Sequence, residues 1–210
     1  MSVRAAYEQW ASTYDTDRNR TRDLDQMVTE RVLSRVRGTQ ILELGCGTGK
    51  NTALLARMGE HVHALDFSAA MMERARAKLS FSNITFTQAD LTLPWPCADG
   101  AVDLIVGNLV LEHIADLPHI FAEAWRCLKP GGHLFICELH PTRQYMGKQA
   151  TFRHNEIDTL IAAFVHHVSD FFKDAAHAGL TLIDLQEWWH EEDQDKPPRL
   201  VSFLWQKRTV

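Results

Sequence analysis

The sequence predicts an α/β domain built on a mostly parallel sheet, and two observations carry that expectation. Between residues 40 and 138 short apolar runs alternate with helical patterns, as right-handed strand–helix–strand crossovers require. Within that span, Ile41-Leu42-Glu43-Leu44-Gly45-Cys46-Gly47-Thr48-Gly49 runs a buried-strand pattern into three alternate glycines, and a helical pattern follows. Such a corner presents unpaired backbone N–H groups at a helix N-terminus, with no side chains to keep a ligand away. A chain of 210 residues suits one domain of this kind with a small cap.

The elements follow in order. Val3, Ala6, Tyr7, Trp10, Ala11 and Tyr14 recur at helical spacing and predict an amphipathic helix over 3–14. After the polar break at 15–20, Leu24, Met27, Val28, Val32, Leu33 and Val36 predict a second helix ending near Gly38. No strand precedes the glycine corner, so both helices lie outside the sheet. They either cover an apolar flank or form a lid, with Tyr14 and one of Tyr7 or Trp10 facing the ligand. Strand 40–44 leads through the corner to a helix ending at Gly59, and strand 61–66 finishes on Asp66. Ser68 is placed to cap a helix over 69–79 that carries Met71 and Met72 near its start. A third strand, 83–87, ends beside Asp90, and a turn-rich loop at 93–100 leads to a fourth strand, 101–106. An amphipathic helix over 116–128 stops at Lys129-Pro130-Gly131-Gly132 before a fifth strand, 133–138. From 139 to 169 the alternation lapses into a cap insertion. A helix at 169–177 and strands at 180–189 and 200–205 close the chain, with a polar loop at 191–198.

Composition excludes several classes. A formal net charge of −5 without a basic tail argues against nucleic acid or an anionic membrane as partner. No apolar run approaches the ~18–20 residues of a membrane span, and residues 1–8 lack a signal-peptide core, so a cytoplasmic protein is expected. Four widely spaced cysteines without a C-x-x-C pair are expected to be free thiols. Eleven histidines include no H-E-x-x-H or Cys/His cluster. His61 and His63 fall in a strand, and His166 and His167 are expected to point in different directions along a helix. No metal is expected.

The glycines select the ligand. A dinucleotide fingerprint, G-x-G-x-x-G, needs its third glycine one place beyond Gly49, where Lys50 stands. Glu43, two residues before Gly45, would repel a pyrophosphate and orient a cationic amine. The spacing E-x-G-x-G-x-G resembles the first motif of the class I S-adenosylmethionine-dependent methyltransferases. Together with Ala64-Leu65-Asp66-Phe67-Ser68, Ala89-Asp90, Leu109 to Ile114 and Leu128-Lys129-Pro130-Gly131-Gly132, the chain is similar to the small-molecule group that includes ubiquinone and malonyl-carrier O-methyltransferases. That resemblance implies a Rossmann-like seven-stranded sheet in the order 3-2-1-4-5-7-6, with strand 7 antiparallel. It implies one domain over 1–210: a helical lid (1–38), a cofactor core (39–138), a cap and acceptor segment (139–169), and a C-terminal helix and strands (170–210). The Tyr14-Asp15 pair resembles an element that precedes the first motif in several members, close to the cofactor.

Under this resemblance Glu43 orients the ammonium of S-adenosylmethionine, while Gly45, Cys46, Gly47 and Gly49 form the turn that admits its methionine part. Asp66 holds the ribose, Phe67, Met71 and Leu91 flank the adenine, Asp90 accepts from the adenine amine or caps a turn, and Asn108 lies at the methionine side with Tyr14 nearby. His113 and His140, just past strands 4 and 5, are each either a general base or a loop histidine bonded to backbone. Arg143 and Arg153 either bind a substrate carboxylate or are solvated. Trp10, Trp188 and Trp189 are candidates to line an apolar acceptor pocket. The expected reaction is methyl transfer to oxygen, nitrogen or carbon of a small molecule. The alternatives are an NAD(P)-dependent oxidoreductase, disfavoured by Glu43 and the glycine spacing, a non-catalytic S-adenosylmethionine-binding protein, and an RNA or protein methyltransferase. Acceptor identity and oligomeric state are not legible in the chain.

Overall fold

The computed structural model describes residues 2–154 and 157–209; among residues 152–158 no side chain is described. Seven strands form one sheet: β1 (Gln40–Leu44), β2 (His61–Asp66), β3 (Ile84–Gln88), β4 (Val102–Asn108), β5 (Leu128–Leu139), β8 (Leu180–Trp188) and β9 (Leu200–Lys207), in the order β3-β2-β1-β4-β5-β9-β8. A separate hairpin pairs β6 (Thr151–His154) with β7 (Ile157–Leu160). Counted within the main sheet, the order is the expected 3-2-1-4-5-7-6. β9 runs antiparallel to both β5 and β8, and the remaining pairs are parallel.

Strict alternation along the central strands divides the core into two layers. Leu42 and Leu44 of β1 and Leu134 and Ile136 of β5 face α5 (Leu117–Cys127) and α7 (Val168–His177), meeting Phe121, Phe171 and Trp205. Ile41, Val106, Phe135 and Cys137 face the other way, where α2 (Arg20–Leu33) lays Leu24, Val28, Val32 and Leu33 on the sheet beside Leu55 of α3 (Thr52–Met58). Glu43 follows the same alternation and points to the α2–α3 side. The N-terminal helices therefore divide their work. While α2 covers the sheet, α1 (Val3–Trp10) packs Ala6 and Trp10 against Met71 of α4 (Ala69–Lys78) and against Ile161 of the cap.

Four expectations are adjusted. The first helix stops at Trp10 and passes into successive turns, in which Thr13 N and Tyr14 N share the Trp10 carbonyl and Thr16 N and Asp17 N share the Thr13 carbonyl. Strand β5 starts at Leu128, directly after α5, and takes the Lys-Pro-Gly-Gly turn in as an irregularity, its register to β4 shifting between Val102 and Leu104. The cap is ordered as a short helix, α6 (Pro141–Tyr145), plus the β6–β7 hairpin, rather than irregular loop. His166 and His167 precede α7 instead of lying on it, because His167 and Asp170 form a capping box at its start.

Among the described residues no helix is long and apolar enough to cross a membrane, and no group of three His, Cys, Asp or Glu is arranged to hold a metal ion. All four cysteines are free.

Candidate active site

Three cavities meet at the carboxyl edge of the parallel strands, where ligands of open α/β sheets bind. One of about 290 Å³ is walled by Phe67, Met71 and Leu91, with Asp66 and Asp90 at its polar side. A second, about 340 Å³, is walled by Glu43, Gly47, Asp25 and Asn108. A third, about 450 Å³, lies under the cap between Tyr7, Glu112 and Arg143. Tyr14 and Leu109 line all three. Leu109 adopts φ 51°, a left-handed conformation that costs a non-glycine residue energy and concentrates at functional sites.

The glycine turn separates into distinct tasks. Gly45, Gly47 and Gly49 all have positive φ. A Cβ on Gly47 would meet nothing within 4 Å, so this glycine keeps a cavity wall open. On Gly49 a Cβ would stand 2.7 Å from Leu79 Cδ1 and 3.1 Å from Ala75 Cβ, so that residue lets α4 pack close and lines none of the three cavities. Cys46 lines the Glu43 cavity, its thiol pushed well up by burial beside Glu43.

Four acids converge around the turn. Glu43, 4% exposed, accepts from Thr52 Oγ1 at 2.6 Å, and burial pushes its carboxyl up to about 8. Asp66 caps two backbone groups, Gly47 N and Ser68 N, both at 2.8 Å, and burial raises it to about 6. Asp25, from α2, accepts from Asn51 Nδ2 at 2.9 Å and Asn108 Nδ2 at 2.6 Å; burial raises it too. Sequence reasoning missed Asp25. The available signal was an acid beside Leu24 and one turn before Val28 and Thr29, inside the apolar stripe of α2. Asp15 ties the segment after α1 to the turn, accepting from Thr48 Oγ1 at 2.6 Å and Lys78 Nζ at 2.7 Å.

At the Phe67 cavity, Asp90 spends Oδ1 on an Asx turn with Thr92 N and Oγ1, at 3.0 and 2.7 Å. Its Oδ2 lies 4.0 Å from Arg4 Nη2 on the half-exposed side. Asp90 is thus both turn cap and cavity wall. Arg22 lies 4.0 Å above the Tyr14 ring and donates to the Tyr14 carbonyl, fixing that ring at the junction.

The two candidate histidines part company. His113 lines the Phe67 cavity: its Nδ1 lies 2.9 Å from the Ala162 carbonyl and its Nε2 2.8 Å from the Tyr7 hydroxyl. A carbonyl only accepts, so Nδ1 carries the proton and neutral Nε2 accepts from Tyr7. Burial lowers the His113 pKa. His140 lines none of the three cavities; it caps α6 through Thr142 and pairs with Glu187 Oε1 at 2.9 Å. Glu112, not singled out from the sequence, is raised to about 7 by burial; its Oε1 stands 3.8 Å from His113 Nε2, and its Oε2 is buried without a hydrogen bond. Arg143 lines the large cavity, whereas the Arg153 side chain falls outside the described residues. Of the three tryptophans only Trp10 reaches this cavity. Trp188 faces Arg31 on the α2 side of the sheet, and Trp189 is half exposed, donating to Lys196 O.

Residues 42–136 match the family described as methyltransferase domain. The chain is 36% identical over 115 residues to a demethylmenaquinone methyltransferase of Tropheryma whipplei (strain Twist), covering 54% of this chain and 47% of that protein. It is 30% identical over 183 residues to the malonyl-[acyl-carrier protein] O-methyltransferase of Pectobacterium atrosepticum, covering 80% of this chain and 70% of the relative. The alignments to the demethylmenaquinone enzymes thus span about half of those proteins' length, 47% for the one just named. Among solved structures, the N-methyltransferase NodS from Bradyrhizobium japonicum WM9, in complex with S-adenosyl-L-homocysteine, superimposes with TM-score 0.74 at 18% identity, covering 100% of both chains. At that identity the likeness speaks for the fold.

Proposed function

Because the chain belongs to the class I S-adenosylmethionine-dependent methyltransferases, we propose that it transfers a methyl group from that cofactor to oxygen, nitrogen or carbon of a small-molecule acceptor. The observation that carries this reading is the meeting of the three cavities at Tyr14 and Leu109. Two of them divide the chemistry the cofactor needs: an apolar slot with acids beside it, and an acid-lined pocket under an open glycine. The third leaves room for a second molecule. When bound, S-adenosylmethionine supplies a methyl carbon activated by an adjacent positive sulfur.

In this reading Phe67, Met71 and Leu91 hold the adenine, with Asp90 beside it and Asp66 at the ribose. Glu43, Asp25 and Asn108 hold the amino-acid end, where a cation offsets buried carboxyls that otherwise take up protons. Tyr14 and Leu109 stand at the transfer point and exclude water there, and positioning of this kind is worth up to ~7–11 kcal/mol in favourable systems. Tyr7 sits at both the Phe67 cavity and the large cavity. Its hydroxyl can take a proton from an acceptor while passing its own to His113 Nε2, so His113 acts through Tyr7. His140, bound to Thr142 and Glu187, serves the cap.

The test is calorimetric titration with S-adenosylhomocysteine and with NADH, followed by transfer of labelled methyl from S-adenosylmethionine to a small-molecule panel. Binding of the first, none of NADH and labelled product support the reading. Binding of NADH alone overturns it.

A further inference from the structure

The large cavity beneath the cap has a charge balance that neither the cofactor nor the proton relay uses. Arg22, Arg143, Lys148, Lys196 and Arg199 line it against two acids, Glu112 and Asp193. Asp193 is fully buried and shared: Arg199 reaches it through Nε at 2.5 Å and Nη2 at 2.7 Å, and Arg143 Nη2 lies 3.1 Å away. One carboxylate between two guanidiniums leaves one positive charge without a counter-ion. Arg143 is only 8% exposed; its Nε donates to the Pro198 carbonyl at 3.2 Å, and its Nη2 faces only the Asp193 carboxylate that it shares with Arg199. A second buried guanidinium sharing one carboxylate is costly, and a further anion beside it would offset that cost. The remaining cations do not quench the imbalance. Arg22 is satisfied by two neutral carbonyls, of Tyr14 and Asp17, and Lys196 Nζ lies 3.4 Å from the carbonyl of Glu192. Tyr7, Trp10, Tyr14 and Leu139 supply flat apolar wall for a carbon skeleton. A volume of about 450 Å³ fits a small molecule.

We propose that this cavity binds a small acceptor through a carboxylate group held by Arg143, beside an Arg199 whose nitrogens are taken by Asp193 and Thr21. The assignment rests on the cavity being the acceptor site of the methyltransferase reading above. A planar guanidinium presents paired N–H groups that match a carboxylate, which a lysine does not. The acceptor class is thereby narrowed to carboxylic acids carrying a second, nucleophilic group that reaches toward Tyr7 and Glu112.

The experiment uses the full chain saturated with S-adenosylhomocysteine. Saturation-transfer NMR titrations compare acetate, malonate, citrate and 4-hydroxybenzoate with 4-hydroxybenzamide and inorganic phosphate. At least one carboxylate is expected to bind about tenfold or more tightly than the neutral amide, the difference made by a charge-assisted contact. Arg143→Gln removes that preference and Arg143→Lys restores only part of it, while both variants keep wild-type affinity for S-adenosylhomocysteine, which controls for folding. Equal binding of acid and amide, unchanged carboxylate binding in Arg143→Gln, binding of phosphate in place of the carboxylates, or binding of none of the carboxylates overturns the proposal. Failure of S-adenosylhomocysteine itself to bind wild type instead sinks the methyltransferase reading, so the two failures are distinguishable.

Discussion

Asn108 Nδ2 donates to Asp25 Oδ1 at 2.6 Å, tying the tip of β4 to α2 across 83 residues of sequence. The same amide reaches Thr29 Oγ1 at 2.8 Å, and the other Asp25 oxygen accepts from Asn51 at the start of the helix after the glycine turn. A helix outside the sheet thus supplies an acid to the pocket that Glu43 also lines. Two buried carboxyls lining one pocket, each raised by burial, would be offset by a cation held between them, as the proposed function requires.

Binding is therefore expected to release protons. At pH 7 a Glu43 carboxyl raised to about 8 is largely protonated in the free protein. An ammonium placed beside it favours the ionised form, and the proton leaves. Titration of S-adenosylhomocysteine at pH 7 in phosphate and in Tris gives apparent enthalpies that differ by the released protons times the difference in buffer ionisation enthalpy. Glu43→Gln is expected to abolish most of that difference and to weaken binding by roughly 10–100-fold, the loss of one charge-assisted contact of ~1.5–3 kcal/mol. Identical enthalpies in the two buffers for wild type would contradict the assignment of Glu43.

Two glycines of one turn are expected to fail differently. Gly47→Ala places a methyl in open space, so its stability cost is the ~1–2 kcal/mol of a left-handed alanine, while the cavity wall it leaves is no longer clear. Gly49→Ala carries the same backbone cost plus ~1–3 kcal/mol of overpacking against Leu79 and Ala75. Thermal denaturation should rank Gly49→Ala as the less stable, and titration with S-adenosylhomocysteine should rank Gly47→Ala as the weaker binder. A single common order in both measurements would show that the two glycines do the same job.

What was legible in the chain follows from how local each feature is. The alternating strands, the glycine turn and Asp66 are set by periodicity and spacing within a few residues, and they stand where the sequence places them. Asp25 and Glu112 were not legible because their roles depend on packing partners far along the chain: Asn108 for one, and for the other the cap that buries it. The cap shows no strand–helix alternation in the sequence because its order comes from tertiary contacts, such as Phe164 N donating to Glu112 O at 2.7 Å. His140 looked equivalent to His113 by position after a strand. The structure separates them because Pro141 starts a helix directly after His140 and turns its ring into a cap.

The buried acids also set a pH dependence of stability. Glu43 and Glu138 rise from an ordinary 4.5 to about 8, and Glu112 to about 7, all chiefly by burial. A carboxyl whose folded pKa lies above its unfolded value holds its proton more tightly when folded. Its stabilisation is complete below about 4.5 and is lost as pH rises through the folded pKa. The ligand-free protein is therefore expected to lose melting temperature between pH 5.5 and 8.5, and Glu138→Gln to flatten that slope. S-adenosylhomocysteine should stabilise more at pH 8.5 than at 5.5, because its cation is met by a Glu43 that is already ionised. A melting temperature that climbs across this window would refute the burial argument.

The Tyr7–His113 pair provides the last prediction. With Nδ1 held as donor by the Ala162 carbonyl, His113 can accept only at Nε2, where the Tyr7 hydroxyl lies at 2.8 Å. Burial holds the tyrosine well above its ordinary pKa and the histidine below its own. The tyrosine therefore does not ionise by itself near neutrality, and the histidine stays neutral to lower pH than a free imidazole. If the pair relays the acceptor proton, Tyr7→Phe should lower kcat by ~10²–10⁴-fold, the range of general-base assistance, with S-adenosylhomocysteine affinity changed less than about threefold. Wild-type kcat should hold below pH 6.5, where an unshifted histidine would already be half protonated. Full activity in Tyr7→Phe would assign the hydroxyl to packing, and would leave the buried Glu112 Oε2 as the group facing the acceptor proton.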